Sequence, residues 1–268
     1  MANKLLSAAA FIVVLGGHAA TAATPEEIKD EGTLTVGVKA DYKPYGFRDP
    51  SGEIVGIEPQ LAADVAERLG VDLELVPVVA SNRMQFLEQG RIDLLIATMT
   101  ETPERGEVVQ FVQPNYYSSG VNVLAPKKAE ISAWEDLDGK PVCGIQGAFY
   151  NKSVGQDYGA DIVAFSGTAE ALNALKQQRC VAFVYDDAAI VGWLQEPEWS
   201  DYEMPLETID DQPWGIAVAK GSDEFAEFMS GVIEDWHASG KILELESEYG
   251  VKNTPFAQKM HEKYKAGS

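Results

Sequence analysis

The sequence predicts an α/β protein made of two similar modules, each a parallel or mixed sheet flanked by helices, joined by two strands that cross between them. Three observations carry that expectation. Strand and helix periodicities alternate at βαβ spacing from residue 33 to 97, the same alternation recurs from 140 to 185, and the chain then turns back through PWGIAVAKG into acidic helices. A length of 268 residues suits one large or two medium domains, and 46% apolar content is enough to fill a core.

The elements follow in order. Residues 1–22 carry Lys4, an apolar run from Leu5 to Gly16, and small residues ending Ala20-Thr21-Ala22. This reads as a secretory signal peptide cleaved near Ala23, its apolar run being shorter than the roughly 20 residues that span a bilayer. The alternation of Leu34, Val36 and Val38 then predicts a strand, and Leu61, Val65 and Leu69 mark a helix stopped by Gly70. VDLELVPV is a second strand, Ser81 is placed to cap a helix carrying Met84 and Leu87, and IDLLIA over 92–97 is a third. Strands in this order form a parallel sheet with right-handed crossovers. VNVLAPKKAEISAWEDLDG is a crossing strand followed by a linker. The second module holds KPVCGI, a helical stretch near 150–158, DIVAF, the helix TAEALNALKQQR and the strand VAFVY. The expected division gives residues 23–122 and 216–268 to one lobe and 123–215 to the other.

Charge narrows the function. The net charge is −21, and the leader contributes only the positive charge of Lys4. Nucleic acid and anionic membranes are poor partners for such a field. Two cysteines, Cys143 and Cys180, form an even count that favours a disulfide in an exported chain, the alternative being two buried thiols. Closing that loop contributes at most about 4 kcal/mol in the chain-entropy model. Enzyme signatures are sparse: beyond His18 in the leader only His237 and His261 remain, with no HExxH, no GxSxG and no metal-spaced cluster. No metal or cofactor is expected.

In open parallel sheets ligands bind beyond the carboxyl ends of strands. In the first module those ends present Lys39, Arg83 and the stretch ATMTETPER, with Thr98, Thr100 and Arg105. In the second they present Gln146 to Tyr150, Ser166 to Thr168, and Asp186 with Asp187. Arginine pairs bidentately with a carboxylate and aspartate pairs with an ammonium, so a cleft carrying one on each lobe is complementary to an amino-acid zwitterion. The alternative for Arg105 is a surface ion pair with Glu101 or Glu104, worth about 0 to 1 kcal/mol.

GRIDLLIATMTETPER, with VGVKADYKPYGF before it and WEDLDGKPVCGIQGA after it, resembles the periplasmic polar amino-acid-binding proteins of ATP-driven importers, solute-binding family 3. The similarity extends to HASGKILELESEYG. It implies the two-lobed type II periplasmic binding protein fold, a periplasmic location, a monomer, and a membrane permease of an ABC importer as partner. By the resemblance Arg105 clamps the α-carboxylate, Thr100 assists it, and Thr98 meets the ligand. Asp186 takes the ammonium, the Gly147 to Phe149 turn donates amides to the carboxylate, and Tyr42 stacks on the ligand.

Departures from the family pattern bear on specificity. Lys39 stands where binders of histidine or glutamine usually have aspartate, and Arg83 follows Asn82 as in acidic amino-acid binders. The expected ligand is therefore aspartate or glutamate. Ala148 and Phe149 stand where many members have serine or threonine, so the amides there survive but a hydroxyl does not. A rival reading is an enzyme on the same scaffold, such as a dehydratase of a small carboxylate, with Lys39 or a cleft carboxylate moving the proton.

Overall fold

The computed structural model describes residues 23–266, so the signal-peptide reading lies outside the described residues. Helix α1 (Pro25–Glu31) opens on a capping box in which Thr24 and Glu27 satisfy each other's amides, and Gly32 closes it in the left-handed conformation. Strand β1 (Thr33–Val38) follows, then three short strands, β2 (Asp41–Tyr42), β3 (Gly46–Arg48) and β4 (Ile54–Val55), which form a small antiparallel sheet of their own. Helix α2 (Ile57–Leu69) buries Leu61, Val65 and Leu69 and ends where Gly70, at φ 74°, donates to Ala66 and Glu67 carbonyls. Strand β5 (Asp72–Pro77), helix α3 (Arg83–Glu88), the short β6 (Leu94–Leu95), helix α4 (Pro103–Val108) and β7 (Gln110–Phe111) complete this part of the chain.

The long β8 (Tyr117–Pro126) leads to β9 (Pro141–Ile145), α5 (Tyr150–Asp157), β10 (Asp161–Phe165), α6 (Thr168–Lys176), β11 (Ala182–Asp186) and α7 (Asp187–Trp193). Strand β12 (Tyr202–Glu203) and β13 (Ile209–Trp214) bring the chain back to β14 (Ala217–Val218), followed by α8 (Asp223–Ser239), α9 (Lys241–Glu248) and α10 (Pro255–Lys265).

Two mixed sheets result, the two-lobed α/β architecture the sequence predicts. The first has the order β5-β1-β6-β14-β7, with β1 parallel to β5 and β6 and with β14 antiparallel to β6. The second has the order β10-β9-β11-β8-β12, with β9 parallel to β10 and β11, and β13 also on β8. Strands β8 and β13 are the two crossings, and they pair with each other from Tyr117↔Trp214 to Val121↔Ile209. Val121 and Asn122 already pair with Asp186 and Tyr185 of the second sheet. Cys143 in β9 and Cys180 just before β11 form a disulfide.

Two local expectations are corrected. Asn82, not Ser81, is the residue before α3, and its side chain accepts from the Val79 amide instead of capping the helix. The third strand is shorter than 92–97, spanning Leu94–Leu95, and Thr98 three residues on adopts φ 45°. At the crossings Tyr42, Tyr45, Tyr117 and Trp214 are fully buried against one another, with ring centroids 5.0 to 5.9 Å apart. This aromatic wall is where the lobes meet.

Candidate functional site

Most of the residues singled out in the sequence converge. Lys39, Arg83, Thr98, Thr100, Arg105, Phe149 and Asp186 line one buried cavity of about 20 Å³ between the two sheets, together with Ala80, Ile145, Ala148, Tyr150 and Tyr185. They come from strand ends or from the start of the helix that follows, in line with the rule for parallel sheets. Lys39 follows β1, the threonines follow β6, and Asp186 ends β11.

Arg105 owes its position to local capping. Thr102 precedes α4 and its hydroxyl accepts from the Arg105 amide at 3.3 Å, while Pro103 starts the helix. The guanidinium then folds back, so that Nη1 donates to the Thr100 carbonyl at 2.6 Å and Nη2 donates across the cleft to the Gly147 carbonyl at 3.0 Å. Glu101 instead accepts from the Gln113 and Asn115 amides. The surface-pair alternative for Arg105 is not realised: the side chain is 9% exposed. Burial, with Arg83 close by, pushes its pKa down to about 9, leaving it charged near neutrality.

Arg83 is 4% exposed, and its Nη1 donates to the carbonyls of Ala97 and Thr98 at 2.5 and 3.1 Å. Among the described residues its Nε and Nη2 have no hydrogen-bond acceptor. Burial lowers its pKa and the Asp186 charge partly offsets this. Thr98, held by these contacts, is a β-branched residue in the left-handed region, a conformation costing about 1 to 3 kcal/mol.

Opposite lies Asp186, buried, with Oδ2 accepting from the Tyr42 hydroxyl at 2.9 Å. Burial pushes its carboxyl up to about 7, against the lowering effect of that hydroxyl and of Arg83. Tyr42 itself is enclosed by Tyr45, Tyr185 and Trp214, so it reaches the site only through its hydroxyl. Gly147, at φ 81°, faces the first lobe so closely that a Cβ there would lie 2.9 Å from the Ala80 carbonyl oxygen. In that turn the Ala148 amide is spent on the Ile145 carbonyl.

Lys39 is paired with Asp41 at 2.8 Å, a partner the sequence reading missed. Asp41 also accepts from the Thr168 amide at the start of α6 in the second lobe, at 3.1 Å. Its burial alone would raise the carboxyl pKa, but Lys39 and the Thr168 amide more than offset that and hold it below the ordinary range. Glu58 was missed too, although one signal was present: it shares a helix face with Leu61 and Val65, a charge on an apolar stripe.

A larger cavity of about 540 Å³ lies elsewhere between the lobes, lined by Tyr45, Ser119, Asp187, Trp193 and Phe256 among others. Of the strand-end residues named in the sequence it holds only Asp187, and it lacks Lys39, Arg83, Thr98, Thr100, Arg105 and Asp186. The smaller cavity is the better candidate because opposite charges converge there in burial. Among the described residues no cluster of His, Cys, Asp and Glu could hold a metal ion, and no helix is long and apolar enough to cross a membrane.

Comparison with known proteins places the chain in a family. The family model for bacterial extracellular solute-binding proteins, family 3, matches residues 34–252. The chain is 30% identical over 234 residues to the ABC transporter glutamine-binding protein GlnH of Bacillus subtilis (strain 168), covering 85% of this chain and 84% of that one. Among solved structures, a solute receptor for L-cysteine of Neisseria gonorrhoeae superimposes with a TM-score of 0.82 at 27% identity, covering 88% of this chain and 98% of the other. A mutant of ArgBP from T. maritima gives a TM-score of 0.79 at 32% identity, covering 84% and 98%.

Proposed function

The chain belongs to the bacterial extracellular solute-binding proteins, family 3, and on that premise we propose that it captures an amino acid between its lobes and delivers it to the membrane permease of an ABC importer. One observation carries the reading: Arg105 and Asp186 line the same buried cavity from opposite lobes. An α-carboxylate answers the first and an ammonium answers the second, so a single zwitterion bridges the lobes and stabilises the closed form. Catalysis has no role in this cycle, and the relatives are named as a binding protein and a solute receptor.

The ligand we favour is acidic, aspartate or glutamate. The named relatives differ in ligand, so the family does not fix the side chain. Support comes from charge bookkeeping in the cleft. Asp41 neutralises Lys39 at 2.8 Å, the ligand's own charges are matched by Arg105 and Asp186, and Arg83, whose hydrogen bonds among the described residues go only to the carbonyls of Ala97 and Thr98, keeps Nε and Nη2 for a further acceptor. A side-chain carboxylate supplies one. In this reading Arg83 meets the side chain directly and Lys39 acts through the field it shares with Asp41.

The lobes are proposed to divide within the crossing strands, residues 23–122 with 216–268 against 123–215, and the protein to act as a periplasmic monomer with residues 1–22 removed. Calorimetry with a panel of amino acids, joined to mass spectrometry of whatever co-purifies, tests the function. Saturable binding of an unchanged amino acid is expected. Turnover of a small carboxylate without stable binding would replace it with the enzyme reading.

A further inference from the structure

Beneath the cavity, at the start of α2, Glu58 is fully buried. Its Oε1 accepts from the Thr98 amide at 2.6 Å and from the Tyr116 hydroxyl at 2.5 Å, while Oε2, equally enclosed, has no hydrogen-bond partner among the described residues. The Thr98 residue is therefore gripped at both ends by groups of opposite charge. Its N–H points down to the Glu58 carboxylate, and its carbonyl accepts from the Arg83 guanidinium. A β-branched residue at φ 45° does not hold that conformation by local preference. Something must impose it, and these two charge-assisted bonds are what the fold provides.

We propose that Glu58 is the positioning residue of the amino-acid site: from beneath, its carboxylate locks the Thr98 peptide in the left-handed conformation that presents the Thr98 to Thr100 segment to the ligand and anchors Arg83. The proposal rests on the reading of the cleft as an amino-acid site. Tyr116 supports the same oxygen from the side of the crossing strand, so the carboxylate is fixed between α2 and the lobe junction. Removing it frees the Thr98 amide and lets the backbone relax to an ordinary φ. That movement shifts the carbonyls of Ala97 and Thr98 that hold Arg83.

Protonation gives a readout that a merely structural contact lacks. The charged and titratable groups facing Glu58 are Lys39 after β1, Arg83 at the start of α3, Tyr116 before β8, and Tyr45 between β2 and β3. Burial raises the carboxyl to about 7, against the lowering effects of Tyr116, the Thr98 amide, Lys39 and Arg83. Asp186 titrates in the same range, so the parent's affinity responds to two protons and a variant without an ionisable Glu58 responds to one.

The test compares the full chain with its Glu58→Ala and Glu58→Gln variants, using L-aspartate, L-glutamate, L-glutamine and L-cysteine as probes. Glu58→Ala is expected to weaken binding at pH 8 by about tenfold or more, and its crystal structure to show Thr98 outside the positive-φ region. Glu58→Gln keeps an oxygen for the Thr98 amide, so it should recover most of the affinity while its pH dependence between about pH 6 and 8 becomes shallower by one proton. A folded Glu58→Ala protein with parental affinity and Thr98 still at positive φ overturns the proposal. So does a Glu58→Gln pH profile that superimposes on the parent's, which decides the matter if the alanine variant does not fold. Should the parent bind none of the probes, the function fails instead, and the Thr98 φ in the variant structures still decides the role of Glu58.

Discussion

In the proposed reading, Arg105, Arg83 and Asp186 divide the recognition of one small molecule. Replacing Arg105 by alanine removes the proposed α-carboxylate anchor common to every amino acid. Two charge-assisted hydrogen bonds at about 1.5 to 3 kcal/mol each set the scale, a loss of 100-fold or more for all ligands by calorimetry. Arg83→Ala should instead discriminate, costing aspartate and glutamate about tenfold or more while small neutral amino acids change little. Equal losses for acidic and neutral ligands would remove Arg83 from side-chain recognition. Asp186 adds a pH signature whose sign is fixed by burial. Its folded pKa of about 7 lies above the ordinary 3.8, so its contribution to the stability of the ligand-free protein is complete below that ordinary value and is lost as pH rises through about 7. An ammonium needs the carboxylate, so affinity should rise over the same range, with proton release on binding. Titration in buffers of different ionisation enthalpy measures that release directly. These three residues were legible in the sequence because each is a charge placed directly after an apolar strand or at the first turn of the helix that follows. Asp41 and Glu58 were harder to read, since their importance lies in partners 127 and 40 residues away.

At the scale of elements, periodicity foretold the sheets and helices well, and it failed where single side chains override it. The third strand is only Leu94–Leu95, and the small sheet of β2, β3 and β4 has strands of only two or three residues, too brief for alternation to register. The helix after residue 80 starts later than Ser81 because Asn82 ties the preceding turn to Val79. The turn before α5 illustrates the opposite case, a glycine whose need appears only in three dimensions. Gly147→Ala places a methyl 2.9 Å from the Ala80 carbonyl oxygen of the other lobe, at a φ that alanine rarely adopts. The variant should fold, yet bind about tenfold more weakly and compact less on adding ligand by small-angle scattering. Unchanged compaction would mean that the approach of this turn to Ala80 is not needed for closure.

For the whole molecule, closure is written in contacts that cross between lobes. Tyr42 reaches Asp186, Arg105 reaches the Gly147 carbonyl, Asp41 meets the start of α6, and Lys43 pairs with Glu196 at 2.7 Å. The last pair is exposed and worth about 0 to 1 kcal/mol, whereas the first three are largely shielded from water. A cavity of about 20 Å³ has room for about one water by this measure. An amino acid therefore enters only with the lobes further apart or the lining side chains reset. Asp41→Asn keeps an acceptor for Thr168 but gives up the charge that holds Lys39. It should shift the equilibrium toward the open form, seen as a larger radius of gyration at subsaturating ligand. The two-lobed plan was readable because its repeat and its return are both written along the chain. Which contacts close it was not, because they join residues that are adjacent only after both lobes have folded.

The Cys143–Cys180 bridge joins β9 to the segment entering β11, two neighbours in one sheet, and neither cysteine belongs to a crossing strand. The covalent staple thus stiffens a jaw without restraining the joint. Oxidising conditions are expected to harden this protein against unfolding without a covalent tie across the lobes, so the proposed capture-and-release cycle needs no thiol chemistry.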